Sequence, residues 1–123
     1  MNAGGEWEES LPKEILALAY RSEGTGELAW PRTAALKVLD ELLALRVPVV
    51  GVEVWLPTET NPTISTDPYY GISIDPLPNQ HRGSFLRSSI AQSRQFVKEF
   101  GWDASDQRSR EFEPYFNFTV DTQ

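Results

Sequence analysis

The sequence predicts a single α+β domain, with about three helices packed on a small, largely antiparallel sheet, and three observations carry that expectation. Apolar residues recur at helical spacing in two separate segments, around Leu39 and around Ile90. Two other segments, Val49 to Leu56 and Tyr115 to Val120, alternate instead with period two. The chain has 123 residues, enough for one core and too few for two, so residues 1–123 are expected to form one domain.

Each element follows in order. Met1 to Glu9 is acidic and unperiodic and predicts a loose N-terminal arm over 1–9, with Trp7 its one residue able to dock. Ser10-Leu11-Pro12 opens a short first helix with Ile15, Leu16 and Ala19 as its apolar face, ended before Gly24-Thr25-Gly26. The central helix takes Pro31 in its first turn, where a missing N–H costs nothing. Ala35, Leu36, Leu39, Leu42 and Leu43 form its core face, and Lys37, Asp40, Glu41 and Ala44 its wet face. Val47-Pro48 stops it, because the residue before proline is pushed out of the α region.

The strand that follows places Val50, Val52, Val54 and Leu56 on one face, plainly for the core. Its other face, Val49, Gly51, Glu53 and Trp55, is ambiguous: a glycine permits close approach, and a carboxylate beside an indole is unusual where burial is complete. Residues 57–68 are rich in Pro, Thr, Ser and Asp and predict an exposed loop, long enough to be functional or mobile. Tyr69 to Asp75 reads as a second strand antiparallel to the first, with Tyr70, Ile72 and Ile74 on one side. Ser84 is the expected N-cap of a third helix reaching Phe100, striped by Leu86, Ile90, Val97 and Phe100 and flanked by Phe85 and Phe96. Trp102 to Pro114 is turn-like, and the terminal strand alternates Phe116, Phe118 and Val120 with Tyr115, Asn117 and Thr119.

Composition narrows the function. There is no apolar run long enough to cross a bilayer and no signal-like N-terminus, so a cytoplasmic protein without membrane contact is expected. Without cysteine and with His81 the one histidine, no metal site or cofactor is expected. A formal charge of −7 argues against nucleic acid as a direct ligand. No catalytic residues are assigned: His81 near Ser84 and Asp75 has little specificity, and a Glu53–Asp75 pair reads more simply as two solvated acids. From Val47 to His81, however, Glu53, Glu59, Asp67 and Asp75 occur without one Lys or Arg. With Trp55, Tyr69 and Tyr70 interleaved, this stretch reads as an acidic, aromatic-bearing surface for a basic protein partner. The plain alternative is that Trp55 is covered by the third helix and the acids serve solubility.

The central stretch also carries a likeness. Gly26-Glu27-Leu28-Ala29, Pro31-Arg32, Ala35-Leu36, Leu39-Asp40 and Gly51-Val52-Glu53-Val54 resemble the immunity protein 40 family of bacterial polymorphic toxin systems over residues 24 to 56. The resemblance implies a non-enzymatic protein that binds and neutralises a cognate toxin. A nuclease toxin, with a basic cleft for phosphates, would suit an acidic inhibitor. An adaptor or oligomeric structural protein, and an enzyme of unrecognised type, are the competing classes.

Overall fold

The computed structural model describes residues 6–22, 26–57, 62–64, 70–101 and 113–122. In chain order these form α1 (Glu6–Glu9), α2 (Lys13–Ala17), β1 (Tyr20–Arg21), β2 (Leu28–Pro31), α3 (Arg32–Leu45), β3 (Val49–Pro57), β4 (Pro62–Ile64), β5 (Gly71–Ser73), α4 (Arg82–Glu99) and β6 (Tyr115–Val120). The strands make one antiparallel sheet in the order β1-β2-β6-β3-β4, with β5 also paired to β3. β5 and β4 occupy successive stretches of one edge of β3, and β6 takes the other. The α+β expectation holds, with two long helices and two very short ones.

The terminal strand is therefore central: β6 lies between β2 and β3, with Phe116 opposite both Trp30 and Val54, and Phe118 opposite Val52. Residues directly opposite one another share a face, so Trp30, Val52, Val54, Phe116 and Phe118 form one continuous apolar surface. The long helices lie on it. Ala34, Ala35, Val38, Leu39 and Leu42 of α3 and Leu86, Ile90 and Val97 of α4 complete a core that Leu11 and Ile15 close at one side.

The α3 face is rotated from the expected one. Val38 and Ala34 are buried, whereas Leu43 is 40 % exposed and Leu36 only half-buried. Small residues at Ala34 and Ala35 let this side of the helix approach the sheet closely, and the leucines beyond it flank the contact. The helix ends on Arg46 in the left-handed conformation (φ 60°), where Val47 N–H donates to Leu42 O at 2.9 Å and Arg46 N–H to Leu43 O at 3.1 Å. That is a Schellman closure, with Pro48 preventing continuation.

β3 begins with an irregularity. Val49 pairs with Val120 but Gly51 with Thr119, so one extra residue sits on β3. The bulge reverses the alternation before Gly51. Val49, expected on the second face, is fully buried in the core, and Val50 is displaced to partial exposure. The buried Ser89 hydroxyl accepts Val49 N–H at 3.1 Å and fixes the strand entry to α4.

Four further expectations change. α4 starts at Arg82 with His81 as its N-cap residue, so Ser84 already lies inside the first turn and cannot cap it. Leu28–Pro31 is a strand, too short and too close to Pro31 to show a period of its own. Residues 6–9 of the expected arm are helical. Trp7 docks on Trp30 with ring centroids 6.1 Å apart, and Glu8 is buried. Pro62–Ile64, inside the expected 57–68 loop, pairs with β3, because a short extended segment gains ladder hydrogen bonds there that periodicity does not reveal. Arg32 joins the long helices, donating to Lys98 O at 3.0 Å and Phe100 O at 2.8 Å at the C-terminus of α4.

Candidate partner-binding face

A sheet that packs its helices on one face leaves the other to be accounted for. By register, the second face carries Tyr20 on β1, Ala29 and Pro31 on β2, Tyr115, Asn117 and Thr119 on β6, Gly51, Glu53 and Trp55 on β3, and Gly71 and Ser73 on β5. None of these residues belongs to the contiguous apolar core. Among the described strand residues on this face the one charge is Glu53, with no Lys or Arg beside it.

Glu53 sits directly opposite Asn117 on one side and Gly71 on the other. Gly71 adds no side chain and leaves that flank low. Gly51 lies two positions back, where a Cβ would meet Thr119 and the Ile72 carbonyl at 3.6 Å, ordinary contact, so the residue keeps the floor shallow without being sterically required. The Glu53 carboxyl is only partly exposed. Burial, and secondarily the field of Glu27, raise its pKa above the usual glutamate range.

Asn117 is 3 % exposed and ties β6 to β2 by donating from Nδ2 to Leu28 O at 2.8 Å. A backbone carbonyl only accepts, so the nitrogen must face it and Oδ1 is the amide's other end. That Oδ1 is buried with no hydrogen-bond partner, as is Trp55 Nε1. Tyr20 and Tyr115 meet edge to face at 6.2 Å, and Tyr115 lies opposite Trp55. Burial raises the Tyr115 hydroxyl pKa, with Glu113 and Tyr20 adding to it.

The sequence-predicted residues are only partly brought together. Glu53 occupies the middle of this face. Trp55 lies on it too but is 2 % exposed, so its indole offers no free ring for a partner. Tyr70 points to the helix side, its ring edge-on to Phe100 at 5.3 Å, as expected for a residue in step with Ile72 rather than Gly71. Asp75 is exposed beyond the end of β5. Gly71, and not Asp75, is the register partner of Glu53, so the two acids do not face one another across the strands. Glu59, Asp67 and Tyr69 lie outside the described residues, as does most of the 57–68 stretch.

Asn117, Tyr115, Tyr20 and Glu27 were not singled out from the sequence. The alternation of β6 did place Tyr115 and Asn117 together, but nothing local tells that β6 pairs with β3. His81 and Ser84 are both exposed at the start of α4, and no group of three or more His, Asp or Glu able to hold a metal occurs among the described residues. No described helix is long and apolar enough to cross a membrane.

No curated protein and no solved structure matches the chain. The model of one family, immunity protein 40, does match, over residues 19–120, which takes in β1 through β6 and the whole of the second face. The chain therefore belongs to the immunity protein 40 family, immunity proteins of toxin systems.

Proposed function

We propose that this protein neutralises its cognate toxin by non-catalytic binding, and that the second face of the sheet, centred on Glu53, is the surface that docks. The observation that carries the reading is the sidedness of the sheet. One face holds a continuous apolar core beneath α3 and α4, and the other holds a partly buried acid among polar and aromatic side chains that contribute nothing to that core. A carboxylate in mid-sheet weakens the fold, since burial disfavours its charged form. A role in recognition accounts for its presence. The net charge of −7 and the lack of described strand cations on this face suit a basic partner, such as a nuclease with a phosphate-binding cleft. Charge complementarity would speed encounter, and the half-buried tyrosines would supply contact area.

Growth rescue is the test. Cells expressing the neighbouring toxin should survive with the wild-type chain or with Glu99→Lys, which makes the same charge change on the exposed side of α4, and should die with Glu53→Lys. Equal protection by all three would remove this face from the interface.

A further inference from the structure

Resting on that reading, we infer that the part of the second face where Glu53 stands opposite Asn117 and diagonal to Tyr115 receives one arginine side chain of the toxin. Two acceptors lie on adjacent strands at the same level, because Glu53 and Asn117 are register partners. One is a carboxylate that burial leaves short of water. The other is an amide oxygen with no donor at all, held in place because its own nitrogen is committed to Leu28 O. A buried acceptor without a donor costs free energy that a ligand donor would recover. Tyr115 stands two residues from Asn117 on the same strand, and Tyr20 reaches its ring from β1 across β2, so the ring pair offers aromatic surface to a cation.

The geometry selects a guanidinium over an ammonium. Guanidinium presents five N–H donors in a rigid plane, so one edge can take the Glu53 carboxylate while a further N–H reaches Asn117 Oδ1. Its thin, weakly hydrated plane can enter edge-on between the Glu53 and Tyr115 side chains, with the rotamer adjustment that is common at interfaces. A lysine ammonium is compact and strongly hydrated, and would meet the carboxylate at the rim without reaching the amide.

The probe is N-acetyl-arginine amide, titrated into the full ¹⁵N-labelled chain and followed by NMR, with N-acetyl-lysine amide as comparison. Arginine amide should move the Asn117 side-chain NH2 and the Glu53 backbone N–H saturably, and lysine amide should bind roughly fivefold or more weakly. Glu53→Gln should abolish the response. Asn117→Ser, which shortens the side chain, should erase the preference for arginine while leaving weak binding of both cations, with thermal melts reporting that each variant is folded. Equal response to the two amides, shifts that survive in Glu53→Gln, shifts that bypass Asn117, or tighter binding of the free amino acid than of its blocked amide would each overturn the inference. The outcomes separate from those of the docking proposal. If Glu53→Lys loses protection while the amides bind alike, the face docks the toxin by some other contact. If arginine amide binds as stated while Glu53→Lys still protects, the arginine site is real and the toxin docks elsewhere.

Discussion

The two faces of one sheet teach different things about this chain. On the helix side Trp30, Val52, Val54 and Phe116 are wholly buried and belong to one apolar cluster with residues of α3 and α4. On the other side, at the same depth of the same strands, stand Glu53, Asn117 and Trp55, two of them with buried polar atoms left unpaired. Good packing explains the first face entirely. Unpaired buried groups are rare enough in folded proteins that the second face calls for a reason beyond stability.

The largest effect that should separate the faces is on folding. Phe116→Ala removes a ring in contact with Phe96 and Phe100 at 6.3 and 5.9 Å and should destabilise the chain by about 3–5 kcal/mol in denaturant unfolding. Glu53→Gln should instead leave stability at neutral pH equal or higher. A comparable loss from both would mean that the two faces carry similar structural weight.

A second comparison concerns acids. Glu8 is 7 % exposed beside Trp7, and burial, opposed by Arg21 and reinforced by Glu27, lifts its pKa to about 7. Between 4.5 and about 7 the folded chain holds a proton there that the unfolded chain has released, so stability falls as pH rises through that window and levels off above it. Glu8→Gln should remove this slope and stabilise the protein at pH 8 by on the order of 1 kcal/mol, a figure reduced for the solvent that still reaches the carboxyl. At pH 4.5 the change should be near zero. Glu53, also raised, should show the same sign. If toxin binding is lost with Glu53→Gln and kept with Glu8→Gln, then two acids of similar electrostatic character divide cleanly between recognition and structure.

The smallest effect lies at the end of α3, outside the strands. Arg46 holds a left-handed conformation at the end of α3, which glycine adopts without strain, so Arg46→Gly should raise stability by about 1 kcal/mol and leave binding untouched.

Much of this was legible in the sequence because it was local. The helix and strand periods around Leu39, Val52, Ile90 and Phe118 foretold α3, β3, α4 and β6, and Gly51-Val52-Glu53-Val54 pointed to both the family and the acid at the centre of the candidate face. What escaped was non-local. The bulge that turns Val49 inward depends on Val120 and on Ser89, and the unpaired Asn117 Oδ1 arises only because β6 enters between β2 and β3. Trp55 read equally well as anchor or core until its neighbours were known. Its burial removes the indole from the expected acidic, aromatic-bearing surface and leaves Glu53 as a partly exposed side chain of β3 there.

The most direct measurement is the association rate of the toxin domain with the wild-type chain, Glu53→Lys and Glu99→Lys, each at low and high salt. A docking face centred on Glu53 requires Glu53→Lys to slow association roughly tenfold or more at low salt, with Glu99→Lys close to wild type and the gap narrowing as salt screens it. Identical rates for the two variants, or rates insensitive to salt, would contradict it.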